Sequence, residues 1–404
     1  MINTLLYTFL FSIEVLTQFN QPSDNRKGYN ATNNYLTIGD YIDDQNTSGT
    51  TNKDFESNES DRLEDLANIK LLNSQKNKPS NYQIEMLTRQ AFVDFKKEFS
   101  ILYSPMENEY RYGIFKRNLQ RILDHNRANS SYKMSINKFS ALGDQEFKDR
   151  WLNAELPIKG SSYNERRLQE DVDSTVSSRL KSLPAELNWA RLGFVSPVKN
   201  QDECQGCYIF SAIAGLESAI MIKHKRTIIL SEQEILDCSY GFGNRGCIGG
   251  QPAFVYDYIK KNGINLLMNY PYKGFESQCK APTKLNVFKG LISYIKLDLN
   301  IISILEMLQY GPVVVNHNIP DDFKYYSSGI FNSVDCHHTA VINHSSIVVG
   351  YNFNVNPPYF LLKNSWGVRW GEAGYYKVKI GSLSYKNPGF CYLASNDFNV
   401  FPIV

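Results

Sequence analysis

Cysteine is missing from the first half of the chain, although the whole sequence of 404 residues contains seven. All seven lie at or after Cys204, so any structure that uses them belongs to one C-terminal unit. An excess of charge is also missing, because 43 Lys and Arg residues stand against 41 Asp and Glu residues. A nearly neutral chain has no overall field that attracts nucleic acid. The composition therefore predicts no nucleic-acid partner and directs attention to the C-terminal cysteines.

The N-terminal apolar run from Leu5 to Ile13 is too short to span a membrane, and its length is typical of a signal-peptide core. We therefore expect residues 1–19 to be a signal peptide that directs the chain into the secretory pathway. An uncleaved anchor is the alternative, because no Lys or Arg precedes the run and no obvious small-x-small cleavage site follows it. Residues 20–82 are rich in Asn, Asp, Ser and Thr, which predicts a disordered extension.

The odd number of cysteines fits an oxidising compartment. Seven cysteines allow at most three intrachain disulfides and leave one thiol, as expected of an oxidised domain that keeps a working cysteine. The Cys204-x-x-Cys207 spacing has two other interpretations. It could be half of a zinc site that His337 and His338 complete, or a redox dithiol, which would normally follow a strand in a βαβ pattern.

One helical face in the stretch from residue 83 to residue 152 mixes polar and apolar residues. At about 100° per residue its six members share one side of a helix: Glu107, Arg111, Phe115, Asn118, Ile122 and Asn126. An ordinary amphipathic helix does not explain polar residues on the inward stripe. The pattern resembles the signature of the pro-domain of cathepsin L-type proteases. This resemblance implies an inhibitory pro-domain and processing linker over residues 83–182.

A second signature of that pro-domain, Gly-x-Asn-x-Phe-x-Asp, is only partly present. The chain keeps Asn137 and Phe139 but has Ser135 and Ala141 at the two ends of the motif. The resemblance links the missing acid to processing that is triggered at low pH. We therefore expect this protein to use an altered trigger.

The chain from Leu183 onward resembles the mature domain of papain-like cysteine proteases. The resemblance rests on the segments Leu183-Pro184-Ala-Glu-Leu-Asn-Trp189 and Cys204-Gln-Gly-Cys207-Tyr-Ile-Phe-Ser211. Attack by a thiol requires a thiolate, and a helix N-terminus next to an imidazolium lowers the thiol pKa. Cys207 opens an apolar stretch at helical spacing, so we expect it to be the nucleophile. Tyr208 replaces the Trp that is usual after this cysteine, which predicts altered packing without loss of chemistry.

Three further residues complete the expected catalytic set. His344 lies 137 residues after Cys207 and enters an apolar strand, which suits the base, whereas His337 and His338 lie beside Cys336 in a loop. Asn364 precedes Ser365-Trp366-Gly367 and is expected to orient the imidazole. By resemblance, Gln201 donates its amide to the developing oxyanion.

The resemblance also implies disulfide pairs and a substrate cleft. The pairs are Cys204 with Cys247, Cys238 with Cys279, and Cys336 with Cys391, which leaves Cys207 free and argues against zinc or a dithiol. The expected substrate-binding residues are Gly249, Gly250, Pro252, Asn316, Asn343, Trp366 and Asn396. The pocket for the second residue before the scissile bond would be unusually polar, unless Phe398 replaces Asn396 as its floor and makes it hydrophobic.

These observations predict an α+β protein with the two-domain papain-like fold, a helical domain against an antiparallel β-barrel-like domain, preceded by a helical pro-domain. Residues 183–404 would form the mature peptidase domain. The expected function is that of a cysteine endopeptidase made as a zymogen, which acts on proteins or peptides, is inhibited by its own pro-domain and needs no cofactor or metal. We expect a monomer in a lysosome-like or food-vacuole-like compartment or outside the cell. The alternative is a catalytically impaired homologue that only binds peptides or a partner.

Overall fold

The structure is a computed structural model, and it describes residues 80–128, 130–153, 156–157, 182–280, 287–337, 341–381, 383, 389–394 and 399–404. All of them belong to one compact unit. The expected signal peptide, most of the expected extension and most of the processing linker lie outside the described residues, and so do Asn396 and Phe398. Within the ranges described, no helix is both long and apolar enough to cross a membrane.

The pro-domain, for which we use the described residues from 80 to 157, contains three helices and two strands. These elements are α1 (Asn81–Glu98), α2 (Pro105–Arg127), β1 (Tyr132–Met134), α3 (Asp144–Trp151) and β2 (Leu156–Pro157). Helix α1 begins inside the extension that was predicted to be disordered. Its start is defined by a capping box in which Ser80 and Gln83 bond reciprocally to each other's backbone N–H. The helix therefore begins two residues before residue 83, where the pro-domain was expected to start.

The polar residues on the inward face of α2 bind the chain that returns across that helix. The Asn118 side chain donates to the carbonyls of Ser140 and Leu142. Asn126 exchanges two hydrogen bonds with the backbone of Met134. Buried carbonyl and N–H groups need such partners, so these amides are as necessary to the pro-domain core as the apolar side chains beside them.

The peptidase domain, from residue 182 onward, combines four helices with eleven strands among its described residues. The helices are α4 (Cys207–His224), α5 (Glu232–Cys238), α6 (Pro252–Asn262) and α7 (Ile301–Met307). The strands are β3 (Glu186–Asn188), β4 (Ile264–Asn265), β5 (Val287–Phe288), β6 (Ser293–Lys296), β7 (Val313–His317), β8 (Tyr326–Phe331), β9 (Val341–Ile342), β10 (His344–Asn352), β11 (Tyr359–Lys363), β12 (Tyr375–Lys379) and β13 (Val400–Ile403). Short 3-10 turns occur at Tyr240–Phe242, Gly246–Ile248, Leu267–Asn269, Asp321–Tyr325, Val334–His337 and Phe390–Tyr392.

The main sheet has the strand order β1-β8-β12-β11-β10-β7-β13-β6, and β3 also pairs with β10. Its pairs are antiparallel, except that β12 and β8 are parallel. The pro-domain contributes the edge strand β1. Gly329 of β8 has a φ of 87°, and a side chain there would collide with the backbone of Ser131, which precedes β1. A glycine is therefore needed where the pro-domain strand adds to the sheet.

Helix α4 is buried along nearly its whole length and packs between the other helices and the sheet. Its one buried acid, Glu217, is paired with Lys199, which also binds Glu232 of α5. Buried charges need partners of this kind. Three disulfides join Cys204 with Cys247, Cys238 with Cys279, and Cys336 with Cys391, the same pairs that the resemblance implied.

Candidate active site

Cys207 is the first residue of α4, so its thiol lies where the helix presents unpaired N–H groups. It is the free cysteine of the chain, and its side chain is completely buried. Backbone groups of Ser345 on β10 and Asn153 of the pro-domain lie close enough to the thiol to lower its pKa, although burial outweighs them. A second contact joins the same elements, because the hydroxyls of Ser211 on α4 and Ser345 lie 2.7 Å apart. The helix and the strand therefore meet at Cys207.

His344 begins β10 and is held by its neighbours on β11 and in the loop after it. Its Nε2 lies 2.9 Å from Asn364 Oδ1. A carbonyl oxygen only accepts, so Nε2 carries the hydrogen. The other ring nitrogen, Nδ1, is buried and has no hydrogen-bond partner among the described residues. The indole of Trp366 packs on the imidazole with ring centroids 5.0 Å apart, as expected for a residue that keeps water from the His344–Asn364 bond.

Gln201 is completely buried, and its carboxamide is held at both ends. Its Oε1 accepts a hydrogen bond from the Ser365 hydroxyl at 2.6 Å. Its Nε2 donates to the carbonyls of Cys204, at 2.8 Å, and Trp151, at 2.9 Å. Trp151 belongs to the pro-domain, so the amide predicted to bind an oxyanion is occupied by a pro-domain carbonyl.

The pro-domain continues along the cleft through Asn153. The side-chain carboxamide of Asn153 exchanges two hydrogen bonds with Gly250, one to its carbonyl at 2.8 Å and one from its N–H at 3.1 Å. The backbone N–H of Asn153 donates to the carbonyl of Asn343 at 2.8 Å. Further on, β2 pairs with β9, which places Leu156 opposite Ile342 in the ladder. The cleft is thus filled by a segment of the same chain.

Burial beneath the pro-domain segment determines the protonation of Cys207 and His344. It raises the pKa of the Cys207 thiol to about 12. Burial, together with a smaller effect of the nearby His317 ring, lowers the pKa of His344 to about 3. The proton therefore stays on sulfur, and both groups are neutral in this form. A thiol is a much poorer nucleophile than a thiolate, so the covered site is chemically quiet as well as blocked.

The structure brings most of the predicted cleft residues to the same edge. Gly249 has a φ of 115°. A side chain on Gly250 would collide with Tyr208 and Asn244. Pro252 is buried at the start of α6. The positive φ at Gly249 and the side chains packed against Gly250 explain the glycines at these two positions.

The polar pocket has fewer free amides than expected. Both carboxamide heteroatoms of Asn343 hydrogen-bond to the backbone of Ile319. Asn316 is buried, and its backbone N–H donates to the Asn399 side chain. Asn396 lies outside the described residues, so the polar pocket stays a prediction.

Two residues near the site were missed by the sequence reasoning. Asn153 carries no motif of its own, although its distance after the partial Asn137-x-Phe139 motif could have marked the segment that enters the cleft. His317 lies opposite His344 in the β7–β10 ladder. Its position five residues after Pro312 could have placed it on the strand next to the catalytic histidine, but nothing in the sequence shows its orientation.

Comparison with known sequence families gives two matches in the order that the sequence predicted. The description "Papain family cysteine protease" matches residues 183–397. The description "Cathepsin propeptide inhibitor domain (I29)" matches residues 92–147. The two matches correspond to the C-terminal and N-terminal parts of the described structure.

Curated proteins support the same assignment over most of the chain. Mouse (Mus musculus) pro-cathepsin H is 34% identical over 297 residues, which cover 72% of this chain and 85% of that protein. Cysteine proteinase 3 of Solanum lycopersicum is 36% identical over 306 residues, which cover 74% of this chain and 83% of that protein.

Solved structures of precursors have the same fold. The recombinant stem bromelain precursor matches with a TM-score of 0.65 and 29% identity, covering 78% of this chain and 99% of that one. Digestive procathepsin L 3 from the larval midgut of Tenebrio molitor gives 0.65 and 28%, covering 79% and 99%. The predicted α+β fold with a pro-domain is confirmed. The chain therefore belongs to the papain family of cysteine proteases, in a precursor form that carries its own propeptide inhibitor domain.

Proposed function

We propose that the peptidase domain is a cysteine endopeptidase with Cys207 as nucleophile and His344 as base. His344 Nδ1 takes the proton of the thiol, and the thiolate attacks the carbonyl carbon of the scissile peptide bond. Asn364 holds the imidazole through Nε2. The amine then leaves with the proton from His344, and water hydrolyses the thioester that remains on Cys207.

The hydrogen bond between His344 Nε2 and Asn364 Oδ1 is the observation that carries this proposal. It fixes the tautomer and leaves Nδ1 to exchange a proton with the thiol. A neutral amide orients the imidazole without trapping its proton, whereas a carboxylate could trap it. Gln201 is proposed to donate Nε2 to the oxyanion together with the backbone N–H of Cys207, and its bond to the Trp151 carbonyl supports this role.

Cleavage within a chain is supported by how the pro-domain occupies the cleft. Its described residues contact the cleft at Gln201 through Trp151, at Gly250 through Asn153, and at Ile342 through β2. A cleft that admits a continuous polypeptide past Cys207 suits an endopeptidase better than an enzyme that trims chain ends. The proposed substrates are therefore proteins or extended peptides.

Three disulfides in the peptidase domain support the secretory route. Disulfides persist in oxidising compartments and are rare in the cytosol. We therefore propose that the protein acts in a lysosome-like or vacuole-like compartment or outside the cell.

Labelling with a thiol-directed epoxide tests the proposal. The processed wild-type protein should be labelled once, at Cys207, and should lose peptide hydrolysis in proportion to the label. A Cys207→Ala variant is the matched control and should take up no label. A processed wild-type protein that folds, binds peptides and neither reacts nor hydrolyses them would instead be the catalytically impaired homologue.

A further inference from the structure

His317 is a buried histidine that packs against the proposed catalytic base. It lies on β7 directly opposite His344 in the ladder with β10. The two rings meet edge to face, with centroids 5.6 Å apart and planes at 84°. Trp366 contacts the same imidazole from the loop after β11, at 5.0 Å. His344 is therefore packed between neighbours from two different elements, and one of them can itself carry a charge.

The hydrogen bonds of His317 identify its neutral tautomer. Nδ1 lies 3.3 Å from the carbonyl of Asn318, which only accepts, so Nδ1 carries the hydrogen. Nε2 lies 2.8 Å from the Tyr376 hydroxyl, which can donate to it. The Tyr376 hydroxyl can instead donate to Ser346 Oγ at 2.8 Å, and the Ser346 hydroxyl, 3.4 Å from Nε2, can then donate to the ring. Each ring nitrogen is thus matched when His317 is uncharged.

The groups that face His317 offer no counterion. The titratable groups that face its ring are His344 from β10 and Tyr376 from β12. A negative charge on Cys207, at the start of α4, would raise the pKa of Tyr376. Within the described ranges, none of the hydrogen bonds or ion pairs of His317 involves a carboxylate. Burial lowers the pKa of His317 to about 4.

A charged His317 would oppose the chemistry of His344. The proposed mechanism requires His344 to accept the proton of Cys207 and become an imidazolium. A second positive charge 5.6 Å away disfavours that state, because like charges in a poorly solvated site repel strongly. A neutral His317 imposes no such penalty and still fills the space behind the base.

We propose that His317 is a positioning residue of the catalytic imidazole, which holds His344 in place while neutral and disables it when protonated, so that its titration limits activity in acid. This inference rests on the proposed roles of Cys207 and His344. It concerns a residue that acts through His344 without touching the substrate.

The pH profile of kcat/KM tests the proposal. Each variant is expressed as the full-length precursor and processed identically, and active sites are counted with a thiol-directed epoxide. In His317→Gln the midpoint of the acid limb should move about one pH unit lower, because glutamine can accept from Tyr376 and never becomes cationic. His317→Leu, which is uncharged and similar in size, should shift the limb in the same direction.

Tyr376→Phe tests whether the shift acts through His317. It keeps the aromatic ring but removes a hydroxyl that can donate to unprotonated Nε2 or accept from the protonated ring. Its effect on the acid limb should vanish once His317 is replaced, so the limb of the double variant His317→Gln, Tyr376→Phe should coincide with that of His317→Gln. General damage to the site would lower activity without moving the limb. Unchanged acid limbs in His317→Gln and His317→Leu, or a further shift in the double variant, would overturn the proposal.

Nuclear magnetic resonance of the ring nitrogens in the full-length Cys207→Ala precursor gives a measurement that needs no activity. His317 should remain in the neutral tautomer with the hydrogen on Nδ1 down to about pH 5. Titration near the ordinary histidine value of about 6.5 would contradict the inference. A wild-type enzyme that does not hydrolyse peptides would contradict the proposed function. An active wild-type enzyme whose acid limb is unchanged in the His317 variants would contradict only the role of His317.

Discussion

At the scale of single residues, Cys207 and Asn364 have different relations to the reaction. In the proposed mechanism Cys207 forms the covalent bond, so its removal leaves no nucleophile. Asn364 only holds His344 through Oδ1 at 2.9 Å, so its removal leaves both reacting groups present. Variants that lack the Cys207 thiol or the Asn364 amide should therefore differ in their residual activity.

We predict that Cys207→Ala lowers kcat for a peptide substrate by at least about a thousandfold, while Asn364→Ala retains measurably more activity. The processed variants should be compared by kcat and KM, with circular dichroism to verify folding. Equal inactivity of the two variants would contradict the role assigned to Asn364. Cleavage by Cys207→Ala above a thousandth of the wild-type rate would contradict that of Cys207.

Gln201 permits a sharper residue-level prediction, because its Nε2 is already aimed at a carbonyl oxygen. Gln201→Ala should lower kcat about a hundredfold to a thousandfold with little change in KM, since the lost bond is stronger in the transition state than in the bound substrate. Gln309→Ala is a suitable control, because that amide bonds to Leu305 and Tyr351 instead. A large rise in KM at constant kcat would show that Gln201 only binds substrate.

Among the structural elements, helix α2 was the most predictable from the sequence. The pro-domain segment after α3, which fills the cleft, was the least predictable. Helical spacing alone placed the six residues of the signature on one face, and the structure gives each buried amide of that face a backbone partner. Periodicity cannot reveal which distant chain supplies those partners. The addition of β1 to β8 and the bonds of Asn153 to Gly250 join segments far apart in sequence. They depend on tertiary folding, so no local pattern encodes them.

The same limit applies to the active site. Motif and spacing predicted Cys207, His344, Asn364 and Gln201 as the catalytic set, because the resemblance supplies these residue types at characteristic positions. His317 was not identified, since its importance arises only when β7 and β10 align. The partners of Asn343 were not predicted either, because only the folded chain brings the backbone of Ile319 to its carboxamide.

Helix α3 offers a candidate for the acid trigger that Ala141 cannot provide. Asp144, its first residue, binds Lys324 of the peptidase domain and Arg121 of α2. Close by, Arg121 also binds Asp322, and Lys148 binds Asp321 at 2.8 Å. Partial burial alone would raise the pKa of Asp144, but the two cations overcome that effect and leave it lowered. Lys324 is completely buried, so it depends on this carboxylate.

A lowered pKa fixes the sign of the pH dependence. The ionised Asp144 stabilises the docked pro-domain above its ordinary pKa, and this contribution is lost as the pH falls through the lowered value. We predict that Asp144→Asn makes processing less dependent on acid and about tenfold faster near pH 7, because Lys324 loses its partner even at neutral pH. Gel analysis of precursor conversion across pH measures both effects.

Asp124→Asn is the matched control, since Asp124 is an exposed acid on α2 that pairs only locally with Arg127. It should process like the wild type. An Asp144→Asn precursor with an unchanged pH profile would assign the trigger to another group.

For the whole molecule, the pro-domain contacts the peptidase domain in three ways that act together. Strand β1 extends the main sheet at β8. Phe139 and Phe147 each pack edge to face on Trp366, both at 5.4 Å. The segment after α3 fills the cleft and buries Cys207. These contacts are spread over the whole interface. A single cut in the linker should therefore leave the site covered until the pro-domain dissociates.

We therefore predict that full activity requires removal of the pro-domain, with a new N-terminus within a few residues of Leu183. Mass spectrometry of the active species, together with epoxide labelling, measures the cut and the opening of the site separately. The Cys207→Ala precursor should not convert by itself but should be cut when active wild-type enzyme is added, because the linker remains a substrate. A cut precursor whose pro-domain stays bound should resist the epoxide at neutral pH and react after acidification. A fully active species in which Phe115 and Asn118 are still covalently attached would show that the pro-domain does not block this cleft.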